Sequence, residues 1–216
     1  ISGWTIFEIA FLFGMVETAF GTMDMIFSGF DPPYFGQHVR MGTFDQMLLR
    51  PANLIAQVLG SQFVIRRLGR ILQGSIIFII ALNQLDIQWT TVKIFMLPVI
   101  FISLVLFFGG LFISCATLSS WTIESREAIN IFTFGSTKMM SYPMDIYPNL
   151  IRNFFTFLLP AIFLLYYPAF YILDKPDPLG MPAAAPFLAP IVALAVFSVS
   201  IWFWNYGLCF YQNTGS

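Results

Sequence analysis

Five long apolar stretches, at residues 4–27, 71–85, 95–120, 154–172 and 187–204, are separated by segments that hold every lysine and arginine of the chain. A helix needs roughly 20 apolar residues to cross the hydrocarbon of a bilayer. With no water inside the bilayer, each spanning segment must pair its own backbone polar groups. Runs of this length suit helices. Composition agrees: 58% of residues are hydrophobic and 10% charged, against about a quarter charged in soluble domains. The pattern predicts an all-α, polytopic membrane protein with five transmembrane helices, forming a single domain over residues 1–216. The second stretch is the shortest and extends backward through Phe63. No segment outside these stretches is large enough for a second domain. The five prolines at residues 176–190 predict a bent connector there.

Cytosolic loops of membrane proteins carry an excess of lysine and arginine. Arg40, Arg50, Arg66, Arg67 and Arg70 lie between the first two stretches, and Arg126, Lys138 and Arg152 between the third and fourth. Lys93 and Lys175 fall on the opposite side. Eight against two predicts that Ile1 lies outside and the 211–216 tail in the cytosol. No positively charged n-region precedes the first apolar stretch, so a signal peptide is not expected there.

Between the first two spans lies a polar, amphipathic elbow: Gly42, Thr43, Phe44, Asp45, Gln46, Met47, Leu48, Leu49, Arg50 and Pro51. Thr43 is expected to cap a short helix, with Gln46 completing a capping box. Phe44, Met47 and Leu48 make one apolar stripe at i, i+3, i+4, and Pro51 ends the helix. Such a helix either lies in the lipid headgroups or serves as a docking site. The first span carries a second unusual group. Gly14, Glu17, Gly21 and Asp24 fall on one helical face. A carboxylate at bilayer depth costs roughly 2.5–3.5 kcal/mol, so this face turns from lipid, and its glycines permit close helix approach. Three readings stay open: helix packing, a polar lining of a substrate path, and a proton or cation relay. Glu8 points the other way and is expected to reach the outer headgroups.

No reaction centre presents itself. Gly135-Ser136-Thr137-Lys138 has the letters of a phosphate loop in the wrong order. Ser114, Ser119 and Ser120 have no histidine or acid at triad spacing. His38 has no cysteine or histidine at ligand spacing, and no metal site is expected. No basic run exists to track nucleic acid. Cys115 and Cys209 sit in apolar segments and read as buried thiols. Gly109, Gly110, Ser114, Cys115, Thr117, Ser119 and Ser120 gather small side chains for helix packing. Pro160 and Pro168 are expected to break the fourth helix. Trp4, Trp89, Trp202 and Trp204 mark interfaces or helix contacts.

Residues 42–51, GTFDQMLLRP, resemble the signature that follows the second membrane helix in ABC-2-type permeases. The Tyr142-Pro143 and Tyr147-Pro148 pairs agree, as do Pro160 with Tyr166-Tyr167-Pro168-Ala169 and the ending WNYGLCFYQNTGS at 204–216. Cys209 stands where such chains more often carry a basic residue. The resemblance is to six-helix permeases encoded beside a separate ATPase, and it implies a first helix preceding Ile1. It implies that residues 42–51 couple to ABC ATPase subunits. No cofactor is then expected on this chain, with ATP and Mg on the partner, and the chain is not itself an enzyme. A re-entrant outer half-helix around Pro160 and Pro168 is implied too. One set of helices offers half a pathway, so a second permease is a further expected partner, with membrane lipids around both. The implied function is export through the plasma membrane, driven by ATP hydrolysis on the partner. The rivals are an ion-coupled secondary transporter using Glu17 and Asp24, and a scaffold or assembly subunit of a larger membrane complex.

Overall fold

The computed structural model describes residues 3–121, 133, 135–143, 147–148, 160–175 and 184–211, and among them every regular element is helical. The long helices are α1 (Ile6–Ile26), α5 (Leu68–Gln84), α6 (Thr91–Trp121) and α9 (Ala189–Cys209). Between α1 and α5 lie three short helices: α2 (Pro32–Arg40), α3 (Thr43–Leu48) and α4 (Leu54–Ser61). Two further short helices, α7 (Ser136–Met140) and α8 (Tyr166–Ile172), complete the described part.

The start of α1 is written in the sequence as Thr-Ile-Phe-Glu. The Thr5 backbone N–H donates to Glu8 Oε2 at 2.6 Å, and the Glu8 N–H donates to Thr5 Oγ1 at 3.3 Å. This reciprocal cap satisfies two of the donors that a helix start leaves unpaired. It also corrects the outward placement of Glu8, which is buried and receives Lys175 Nζ at 2.8 Å.

Contacts fix the helix directions. A Cβ on Gly14 would meet Phe78, one on Gly21 would meet Ile71, and one on Gly74 would meet Thr18, so α1 and α5 run antiparallel. Ile100 and Ala189 border one cavity, Ser114 Oγ donates to Ser200 Oγ at 2.9 Å, and Thr117 lies beside Trp204. The helices α6 and α9 are therefore parallel. Phe20 meets Phe108 edge-on at 5.1 Å, which seats α1 against α6. The small residues of α6 do pack here, with Gly110 against Phe197 and Ser200.

Among the described residues, three helices are long and apolar enough to cross a membrane: Ile6–Ile26, Thr91–Ser119 and Ala189–Cys209. They correspond to the first, third and fifth predicted stretches. The second became α5, whose 17 residues cover about 25 Å at 1.5 Å per residue, short of a full hydrocarbon core. The fourth stretch does not form one continuous described helix; residues 154–159 lie outside the described residues. From Pro160 onward the chain makes a 3-10 turn, Ala161–Phe163, and then α8. Pro168 does not interrupt a helix, because it occupies the first turn of α8, where a missing N–H costs no intrahelical bond. Residues 176–183 of the expected connector also lie outside the described residues. Pro186 and Pro190 sit in the first turns of a 3-10 turn and of α9. Cys115 is buried as expected, but Cys209 is exposed, because α9 runs five residues past the predicted end and turns that position outward.

The α1–α5 seam sets a sharp test. A Cβ on Gly74 would lie 2.6 Å from the Thr18 backbone nitrogen, whereas one on Gly69 would meet nothing within 4 Å. Gly74→Ala should cost about 1–3 kcal/mol through overpacking. Gly69→Ala should be neutral or slightly stabilising through helix propensity. Unfolding in mixed micelles with increasing SDS measures both.

Candidate functional site

The face that the first-span motif defines turns toward α5. Gly14 and Gly21 let the two backbones approach, and Glu17 and Asp24 meet the arginines at the start of α5. Glu17 Oε2 accepts from Arg70 Nε at 2.5 Å, and Glu17 Oε1 lies 3.4 Å from Lys138 Nζ of α7. One carboxylate thus ties three helices together. The Arg70 guanidinium also sits 4.2 Å above the centre of the Phe20 ring, a favourable cation–π placement. Arg67 works at the end of α1. Its Nη1 is 2.9 Å from Asp24 Oδ1 and also donates to the Asp24 backbone carbonyl, while Nη2 is 2.9 Å from Asp31 Oδ2. The carbonyls of a last helical turn lack partners within the helix, and Arg67 satisfies one of them. Burial raises the Asp31 pKa, and Arg67 offsets part of that rise. Ser28 Oγ donates to the Gln62 carbonyl at 2.5 Å, which closes the joint between α1 and α4.

A second charged group binds the opposite end of the bundle. Lys175 Nζ reaches Glu8, the Gly3 carbonyl at 2.9 Å and the face of Trp4 at 4.2 Å. Lys93 Nζ meets Asp174 Oδ2 at 2.6 Å.

The elbow forms α3, but not by the expected cap. Gly42, at φ +67°, is the residue before the helix, and no side chain caps it. Thr43 lies inside the helix; its hydroxyl donates to the His38 carbonyl at 3.1 Å and lies 2.7 Å from His38 Nδ1. Gln46 is exposed and completes no capping box. A side chain at Gly42 would be strained by that left-handed φ, so the turn from α2 into α3 depends on glycine. Burial lowers the His38 pKa and favours the neutral ring at this corner.

The predicted apolar stripe is split. Phe44 is 1% exposed, Met47 is half-buried, and Leu48 and Leu49 stand in the open, Leu49 at 86%. Asp45 is half-buried, and Arg50 and Pro51 are exposed. Phe44 enters an aromatic cluster that joins distant parts of the chain. It meets Phe35 of α2 at 5.1 Å, Trp204 of α9 at 6.1 Å and Tyr211 at 5.2 Å, all edge-on. Trp204 also meets Phe30 at 5.1 Å and Phe35 at 5.4 Å. Such pairs add about 0.5–1.5 kcal/mol each beyond their buried area. Trp204 is 2% exposed and lies in this cluster, whereas Trp202, two residues away, is exposed. Burial, and then the Asp45 carboxylate, push the Tyr211 phenol up to about 12. Tyr211 is therefore neutral at any physiological pH.

Nothing in the sequence singles out Arg67, Arg70 and Lys138 as partners of the acids, nor Phe35, Trp204 and Tyr211 as partners of Phe44. The i, i+3 spacing of Arg67 and Arg70 does put them on one helical face. The aromatic cluster has no local signature, since its members lie up to 181 positions apart (211 minus 30).

Buried acid–arginine seams, apolar spans and an elbow keyed into the last helix define a helical integral membrane protein. The family model described as "ABC-2 family transporter protein" matches residues 1–215, and the chain belongs to that family. No curated protein and no solved structure matches it.

The two cations on Glu17 are unequal, because Arg70 is largely enclosed and Lys138 is 67% exposed. Arg70→Ala should cost about 3 kcal/mol by stranding a buried carboxylate, and adding Glu17→Gln should recover much of that loss. Lys138→Ala should cost less than about 1 kcal/mol. A double-mutant cycle of unfolding in SDS checks all of these.

Proposed function

We propose that this chain is the permease subunit of an ATP-driven ABC-2-type exporter, and that α3 is the element on which its ATPase partner docks. The observation that carries this reading is the division of α3 into two faces. Phe44 is keyed between α2 and α9, while Leu48 and Leu49 project outward beside Arg50. A partner that grips the outer face moves the cluster, and the cluster moves α9.

In this reading the whole of residues 1–216 is one permease domain in the plasma membrane, with α5 and the segment around α8 completing five spans. The N-terminal end of α1 faces outward. The elbow and the 211–216 tail face the cytosol, on the side where Arg40, Arg50 and Arg66 are exposed. ATP and Mg bind the partner, which performs the hydrolysis. A second permease, identical or related, supplies the other half of the pathway. Glu17 and Asp24 support helix packing here, since Arg70, Lys138 and Arg67 occupy them. That occupancy disfavours a relay of protons or cations through these acids.

Leu48→Asp with Leu49→Asp alters exposed side chains only, so the permease should still fold and insert. The double variant should lose copurification of the ATPase and at least about tenfold of transport-coupled ATP hydrolysis, since 1.4 kcal/mol of docking energy is already tenfold. Unchanged copurification and unchanged ATPase activity would remove α3 as the docking element.

A further inference from the structure

The segment leading into α5 has a face that the transport reading does not use. Residues 62 and 64 have extended backbone, at φ −141° and −110°, so side chains alternate there. Phe63 and Ile65 project outward at 66% and 67% exposure, while Gln62 and Val64 are half-buried. The helix then continues the same exposed apolar stripe through Leu68, Leu72, Ile76 and Ile79. Arg66 follows Ile65 in the 3-10 turn at the N-terminal end of this stripe. It is exposed and forms no ion pair among the described residues, although Arg67 and Arg70 beside it are both engaged by carboxylates.

We propose that this face is a binding site for an anionic phospholipid. The acyl chains lie along Leu68, Leu72 and Ile76, Phe63 and Ile65 sit at the headgroup boundary, and the Arg66 guanidinium holds the phosphate. The inference rests on the reading of α5 as a membrane span. Two observations name a lipid as the occupant. The stripe is continuous with the apolar outer face of α5, which turns away from α1. Among the described residues, Arg66 at its end is a cation without an ion pair, whereas Arg67 and Arg70 are paired with carboxylates. Arginine suits this place because its stem lies along apolar surface while its head stays polar, and its planar fork grips phosphate by two bonds. A basic residue near an anionic surface contributes about 1 kcal/mol, which is about a fivefold preference for anionic over zwitterionic lipid.

The test uses native mass spectrometry of the full chain, titrated with phosphatidylglycerol and with phosphatidylcholine. The first phosphatidylglycerol should bind about fivefold more tightly than phosphatidylcholine. Arg66→Gln should abolish that preference, while Arg66→Lys keeps most of it and Arg40→Gln leaves it intact. Equal binding of the two lipids by the unaltered chain, or a preference that survives Arg66→Gln, would overturn the proposal. A nitroxide label at Ile76 in bilayers reads the span separately. If the label reports acyl chains and Arg66→Gln has no effect, the lipid site alone is wrong; if it reports water, the span is wrong and the site falls with it. Disulfide-linked dimers of Leu72→Cys, in a Cys115→Ala, Cys209→Ala background, would place a second copy on this face and also overturn the proposal.

Discussion

Two carboxylates on one apolar helix constrain this fold more than any other feature. Glu17 and Asp24 cannot face lipid at an acceptable cost, so α1 must turn them to cationic partners. Arg70 and Arg67 meet them at 2.5 and 2.9 Å. Those pairs set the register of α5 against α1, and the glycines at 14, 21 and 74 let the helices close to that distance. With α1 and α5 joined at this end, the intervening residues must fold back on themselves. They do so as α2, α3 and α4, with α2 packed against α6 and Phe44 of α3 against Trp204 of α9.

That folded-back segment carries the elbow. Its position is held by aromatic contacts instead of charge, with Phe44 fitted among Phe35, Trp204 and Tyr211. Edge-to-face rings resist sliding, because each contact has a preferred geometry. Tyr211, just past the end of α9, closes the cluster on the same side as Trp204 and lies close to Asp45 of α3. Leu48 and Leu49 of α3 stand exposed, while Phe44 on its inner side is bound to α9.

Much of this was legible in the sequence, and the parts that were not share a cause. Long apolar runs identified α1, α6 and α9, because spanning a bilayer leaves a signal within a single segment. The acidic face of α1 was legible from helical period alone. The identity of its partners required knowing which helix lies opposite, and that is a tertiary fact. The expected capping box at Thr43 and Gln46 failed because Gly42 makes the turn and the Thr43 hydroxyl prefers the His38 carbonyl. The capping box that does form, at Thr5 and Glu8, has the sequence signature but sits at the end of a long apolar stretch, where the charge of Glu8 suggests headgroup contact instead. Trp204 makes one of the two contacts open to it in the sequence, a helix contact and not an interface, but nothing near it in sequence reveals Phe30, Phe35 and Phe44 as its partners.

The central claim is that α3 and α9 move as one body. Spin labels at Leu49 and Trp202, both exposed, measure this directly by pulsed dipolar spectroscopy in the assembled transporter, with a third label at Leu72 as reference. On ATP binding the 49–202 distance should stay constant while the 49–72 and 202–72 distances change together. A 49–202 distance that shifts with nucleotide while 202–72 stays fixed would show that the elbow slides past the aromatic cluster, and would contradict the account.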